Sequence, residues 1–183
     1  VDVRDYDLKY LRKKIGFIPQ KTLLFTGSIA NNIKFGKKDA EYKEVEDSAK
    51  IAQAYEFISN KPNKFDEIIT EGGSNVSGGQ KQRLSIARAI VRKPDIYIFD
   101  DSFSALDFKT DAILRKELRS ETKDAIVLIV AQRIGSIMDA DKIIVLNEGE
   151  VVGIGTHKEL IKNCPIYHEI ATSQLTEEEL ANE

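Results

Sequence analysis

A chain of 183 residues, 42% hydrophobic and 31% charged, has the length of one domain and can bury roughly 70% of the surface its unfolded form exposes. With 27 Lys and Arg against 30 Asp and Glu, the net charge is -3, which leaves no basic footprint for nucleic acid. The longest apolar run, Ala125 to Ala131, falls far short of the roughly 20 residues that cross a bilayer. The lone cysteine, Cys164, cannot form an internal disulfide and fits a reducing, cytosolic compartment. The sequence opens on Val1 and is polar and charged up to Tyr10, so it is expected to begin partway through a longer polypeptide.

Ile15 to Ile18, Ile96 to Phe99, Ile126 to Val130 and Ile143 to Leu146 are short runs rich in β-branched or aromatic residues. They alternate with amphipathic stretches, which predicts an α/β protein with a parallel sheet and helices on its faces. Each run is apolar at nearly every position, as in a strand covered on both sides. Between the first two lies Phe25 to Lys93, where Tyr42 to Ile58 and Gln80 to Arg92 have helical composition; this segment is expected to be a helical subdomain inserted into the sheet domain. In Lys109 to Ser120, Ile113, Leu114 and Leu118 lie at helical spacing and predict packing on the sheet. Asn147 to Glu150 is a turn leading to a hairpin strand over Val151 to Ile154. Thr156 with Glu159 makes a capping box, and Pro165 separates that helix from a second one. The acidic tail, Thr176 to Glu183, is expected to fray. His157 and His168 have no Cys or acid partners at ligand spacing and read as solvated helix histidines.

The most specific stretch is Asn75 to Gln80 followed by Lys81 to Ala89. Ser77 is a good N-cap, while Gly78 and Gly79 let a ligand approach backbone N–H groups at the positive end of a helix dipole. Such a terminus takes anions, most often phosphate. Ile96 to Asp101 is an apolar strand ending in two carboxylates, suited to holding Mg²⁺ through Asp100 and to setting Asp101 near an attacking water. Ser104 to Asp107 follows at once.

In this order the segments resemble the nucleotide-binding domains of ATP-binding cassette transporters, over nearly the whole chain. Val76 to Gln80 is similar to the signature motif, Ile96 to Asp100 to Walker B, Ser104 to Asp107 to the D-loop, and Pro19-Gln20 to the Q-loop. The resemblance implies a P-loop NTPase fold in three parts: residues 1–24 as core strand and Q-loop, 25–93 as the helical subdomain, and 94–183 as the RecA-like core with switch region and C-terminal helices. It implies ATP and Mg²⁺ as cofactors, with Gln20 and Asp100 toward the metal and Gln20 sensing the γ-phosphate. Ser77, Gly78, Gly79 and Gln80 would meet the nucleotide of an opposite subunit, with Asp107 at that interface. The stretch Leu24 to Gly36 resembles the exporter segment after the Q-loop, and Thr70 to Gly73 the X-loop. Glu71 and the Gln20 region would then face membrane domains, from the cytoplasmic side of the cell membrane.

Two positions depart from the pattern. Efficient family members carry Glu after the Walker B Asp, where this chain has Asp101; the shorter side chain misplaces its carboxylate by about 1 Å, which can cost on the order of 100-fold in rate. Gln132 stands where a switch His contacts the γ-phosphate, and Gln cannot carry the imidazole's protonation chemistry. Together they resemble the degenerate-site subunit of a heterodimeric multidrug-type exporter, with Asp101 and Gln132 as the catalytic-position residues. A slow homodimer, a non-transport ABC-type ATPase, and a non-catalytic module completing a partner's ATP site remain alternatives. Chromosome-organising members are disfavoured, since only Lys21 to Asn75 lie between the Q-loop and signature segments, without sustained heptads. No G-x-x-x-x-G-K-[ST] occurs: Gly36-Lys37 has Asn31 and Lys38 at the flanking motif positions. The 183 residues alone are therefore expected to bind ATP weakly and to be inactive.

Overall fold

The computed structural model describes residues 2–176; the rest of the acidic tail, 177–183, lies outside the described residues. Contacts divide the chain into Val1–Val130 and Ala131–Glu183.

In the first unit Asp7 caps α1 (Leu8–Lys14) by accepting from the Tyr10 amide, and the chain passes directly into β1 (Ile15–Ile18). A two-residue ladder of β2 (Gly27–Ser28) with β3 (Ile68–Ile69) encloses α2 (Ile29–Lys34), α3 (Tyr42–Ile51) and α4 (Tyr55–Ser59). The stretch of helical composition over Tyr42 to Ile58 forms two helices, α3 and α4. Gln53 takes a left-handed φ of 55°, and the Ala54 amide closes back onto the Ala49 carbonyl at 2.7 Å, which ends α3 in the manner of a C-terminal left-handed cap. Helix α5 (Gly78–Ile90) is capped by Ser77, as expected, and so begins two residues before the stretch of helical composition at Gln80. It feeds β4 (Ile96–Asp100), then α6 (Phe108–Glu121) and β5 (Ile126–Val130). The strands β1, β4 and β5 are parallel in that spatial order, with Ile18 opposite Phe99 and Asp100 opposite Val130.

Ile18, Phe99, Leu84, Ile86, Ile90 and Leu114 share one core with Ile29, Ile33, Val45, Ile58 and Ile69 of the inserted segment. Cover on both strand faces, expected from the apolar runs, is not uniform. Tyr97 and Phe99 are buried, whereas Phe17, Ile126, Leu128 and Val130 are 55%, 60%, 52% and 57% exposed.

The second unit differs from expectation in two respects. Ile143 to Leu146 was read as a fourth strand of the parallel sheet; among the described residues β6 (Ile143–Asn147) pairs instead with β7 (Glu150–Gly155) as a two-stranded antiparallel sheet. Positive φ at Glu148 and Gly149 (48° and 85°) folds the strand onto its successor, as a type I′ turn requires. Helices α7 (His157–Asn163) and α8 (Pro165–Gln174) follow, with the Thr156–Glu159 capping box and Pro165 at the start of α8 as expected. His157, expected to be solvated, is buried, with Nδ1 2.6 Å from the Tyr167 hydroxyl. Capping by Thr156 makes it the first residue of α7, and that end of the helix packs on α8. His168 is exposed.

Burial and the nearby Glu121 charge push the Tyr97 hydroxyl from 10.0 to about 12. The folded state therefore holds that proton more tightly than the unfolded state. Its stabilising contribution is complete below pH 10 and disappears as pH rises toward 12. Thermal melts between pH 9 and 12 should show the wild type losing stability relative to Tyr97→Phe, whose curve lacks this component.

Candidate functional site

At the start of α5 the Ser77 hydroxyl accepts from the Gln80 amide at 3.3 Å, and the Gln80 side chain accepts from the Ser77 amide at 3.1 Å. This capping box closes two donors of the first turn on each other. It leaves Ser77 and Gly78 exposed at the positive end of a 13-residue helix. The two glycines differ in surroundings. A Cβ on Gly78 would meet nothing within 4 Å, whereas one on Gly79 would lie 3.2 Å from the Ala105 carbonyl oxygen. Gly79 thus lets the turn after β4 approach the helix, and Gly78 leaves space in front of it.

The carboxyl end of β4 carries the acids. Asp100 is the last residue of the ladder, half-buried opposite Val130. Asp101 turns out of the strand with φ 45°, a left-handed conformation that Asp tolerates better than most residues. Its amide donates to the Val130 carbonyl at 2.9 Å and its carbonyl accepts from the Ser104 hydroxyl at 2.8 Å. Its carboxylate Oδ2 accepts from Gln20 Nε2 at 3.1 Å. The fold therefore joins residues 81 positions apart, the first beyond β1 and the second just beyond β4. Ser102 makes the same connection below them, donating from a buried hydroxyl to the Ile18 carbonyl at 2.8 Å.

Asp107 is the N-cap of α6, accepting from the Thr110 amide and hydroxyl at 2.9 and 2.8 Å. These bonds hold its carboxyl below the usual carboxylate range. Glu71 lies on a short 3-10 turn, exposed, beside Gly72 and Gly73 with φ 63° and 68°. Lys81 of α5 donates to the Gly72 carbonyl at 2.8 Å, and the Asn75 side chain bridges the Thr70 amide and the Ile68 carbonyl, so this turn is fastened to the segment leading into Ser77.

Gln132 belongs to the second unit. Its side chain is exposed, and its carbonyl accepts from Gln174 Nε2 at 2.9 Å while Gln174 Oε1 accepts from the Ile134 amide at 2.9 Å. One side chain of α8 thus fixes both ends of 132–134.

Among the described residues no group of three or more His, Cys, Asp or Glu could hold a metal ion on its own. The acidic end of β4 nevertheless has the donor type that Mg²⁺ takes, one or two carboxylates with phosphate and water completing the shell. The Gln20 amide nitrogen is used toward Asp101, which leaves its oxygen as the atom suited to a hard cation. Sequence reasoning overlooked Ser102, Thr22 and Gln82. The Thr22 hydroxyl donates to Gln82 Oε1, and Gln82 Nε2 donates to the Pro19 carbonyl at 3.3 Å. The available signal was spacing: Gln82 shares a helix face with Ile86 and Ile90, and a polar residue there needs a partner.

The family profile described as ABC transporter matches residues 1–104. The uncharacterized ABC transporter ATP-binding protein YfiB of Bacillus subtilis (strain 168) is 45% identical over 176 residues, 96% of this chain and 30% of that protein. Multidrug resistance protein 3 of Entamoeba histolytica is 40% identical over 185 residues, 100% of this chain and 14% of that protein. A bacterial Atm1-family ABC exporter with ATP bound superposes with a TM-score of 0.92 at 34% identity, covering 96% of this chain and 31% of that one. The chain thus spans less than a third of the length of these relatives.

Both glycines gain helix propensity on becoming Ala, but only Gly79 has a carbonyl in the way. Chemical denaturation should find Gly79→Ala less stable than Gly78→Ala by about 1 kcal/mol or more.

Proposed function

The chain belongs to the ABC transporter family, and from that premise we propose that it is the C-terminal part of the nucleotide-binding domain of an exporter subunit. ATP binding and hydrolysis there would drive passage of a small molecule, drug or lipid across a membrane. The observation that carries the reading is the convergence at one edge of the first unit: Gln20 on Asp101 at 3.1 Å, and Gly79 against the Ala105 carbonyl.

In this reading residues 1–24 provide core strand and Q-loop, 25–93 the helical subdomain, and 94–183 the rest of the core. Ser77, Gly78 and Gly79 offer a hydroxyl, backbone amides and a helix dipole to the γ-phosphate of a nucleotide held by an opposite subunit. Gln80 keeps that turn in shape through the capping box. Gln20 and Asp100 would hold Mg²⁺, which when bound neutralises charge on the phosphate oxygens. Asp101, with its carboxylate fixed by Gln20, orients the attacking water, and Gln132 donates a hydrogen bond where a stronger acid–base group would serve hydrolysis better. Asp107 lies at the interface with the second nucleotide-binding domain. Glu71 and the Gln20 region face the membrane domains on the cytoplasmic side, and nucleic acid is not a partner. Asp101 and Gln132 support the degenerate half of a heterodimer, because each falls short of the group that efficient hydrolysis needs.

No helix among the described residues is long and apolar enough to cross a membrane, so the membrane-spanning part of such an exporter would lie outside them. The sequence has no G-x-x-x-x-G-K-[ST], the loop whose amides and Lys hold the β- and γ-phosphates. Calorimetry on the 183 residues alone should accordingly register no appreciable Mg-ATP affinity; clear binding contradicts the proposal. In the assembled transporter, Asp101→Glu with Gln132→His should raise turnover at this site, by up to about 100-fold if carboxylate reach is what limits it. An unchanged ATPase rate would mean that this side performs no chemistry.

A further inference from the structure

Residues 18 to 23 leave the end of β1 without helical or strand hydrogen bonds of their own beyond Ile18, yet nearly every one is fastened by a side chain from elsewhere. Ser102 takes the Ile18 carbonyl at 2.8 Å and Asp101 takes the Gln20 amide at 3.1 Å, both from the turn after β4. Arg88 of α5 takes the Leu23 carbonyl at 3.0 Å. Gln82, also of α5, reaches both sides of Gln20 with one amide group: Nε2 donates to the Pro19 carbonyl at 3.3 Å and Oε1 accepts from the Thr22 hydroxyl. Gln82 is 2% exposed. The buried Gln82 amide would pay a desolvation cost if either partner were lost, so its side chain is committed to both the half-buried Pro19 carbonyl and the half-buried Thr22 hydroxyl.

We propose that Gln82 is a positioning residue for Gln20, holding the Pro19–Thr22 segment so that the Gln20 amide meets Asp101. It also joins the two halves of the site mechanically. Ser77, at the exposed start of α5, and Gln82, under the Gln20 segment, are five positions apart on one helix. A displacement of the helix N-terminus by a ligand is therefore transmitted to Gln20 without passing through the sheet. The inference rests on the reading that Gln20 serves the nucleotide site.

The test uses the full-length transporter and compares Gln82→Leu, Gln82→Glu and Thr22→Val with the wild type. Gln82→Leu removes both bonds, Gln82→Glu keeps the acceptor for Thr22 and loses the donor to Pro19, and Thr22→Val does the reverse. Hydrogen exchange should speed up in peptides spanning residues 19–23 in all three, most in Gln82→Leu, while the interior of α5 stays protected. ATPase rates are read on the Asp101→Glu with Gln132→His background, where this site itself turns over; there kcat should fall by about 10-fold or more in Gln82→Leu, with KM for ATP changed far less, since misplacement of about 1 Å acts on the chemical step. On a Gln20→Ala background, Gln82→Leu should add almost nothing, because its effect passes through Gln20. Unchanged exchange at 19–23, or full additivity of the two substitutions, overturns the proposal. Should Gln20→Ala leave the ATPase rate untouched, the nucleotide-site reading fails instead, and accelerated exchange alone upholds the brace. If Gln82→Leu does not fold, the two single-bond variants decide by the same measurements.

Discussion

The architecture of the first unit depends on one interaction set: side chains of helix α5 donate to backbone carbonyls of the segments around it and hold their paths. Lys81 donates to Gly72, Gln82 to Pro19, Arg83 to Gln53 at 2.6 Å, and Arg88 to Leu23 and Asn32. Pro19 and Leu23 lie in the connection between β1 and β2, Asn32 in α2, Gln53 just beyond α3, and Gly72 in the turn before α5. A buried carbonyl without a donor is costly, which applies most to the buried Asn32; at the part-buried Pro19 and Gln53 and the exposed Gly72 and Leu23 the donors from α5 fix the path of the irregular backbone. The same residues that make the helix an unusual core element make it the hub of the site.

Arg88 illustrates the energetics. Its guanidinium is partly withdrawn from water and its pKa is lowered by that burial, yet its donors end on Asn32 and the Leu23 carbonyl rather than on an acid. The rings of Phe25 and Phe35 lie 5.3 and 5.7 Å from it, a distance at which their faces attract a cation. Two carbonyls, an amide oxygen and two rings thus take the place of a carboxylate in stabilising the charge. Gly36 fits this arrangement for a steric reason, since a Cβ there would collide with the Arg88 carbonyl.

Local signals were legible wherever the chemistry was local. Ser77, Asp107 and Thr156 each cap the helix that follows them, and β1, β4 and β5 run where their apolar composition places them. The P-loop NTPase type of α/β fold followed from these elements together with the family resemblance. What was not legible depends on partners distant in sequence. The turn at Asn147 to Glu150 announced the hairpin partner of Ile143 to Leu146, but nothing in that run says that it lacks a parallel neighbour as well. Burial of His157 needs Tyr167 on another helix. The break at Gln53 needs a left-handed residue that is neither Gly nor Asn, so no composition rule flags it. The pairing of Gln20 with Asp101 was likewise invisible, because a hydrogen bond across 81 positions is a property of sheet register rather than of either motif.

The central claim is that the start of α5 and the end of β4, adjacent in one subunit, serve two different ATP molecules between paired subunits. It is tested most directly by a structure of the full assembly trapped with ATP. The account predicts the Ser77 hydroxyl and the Gly79 amide at roughly 3 Å from γ-phosphate oxygens of a nucleotide whose phosphates are otherwise held by the opposite subunit. Ser77 and Gly79 lying remote from any triphosphate would contradict it.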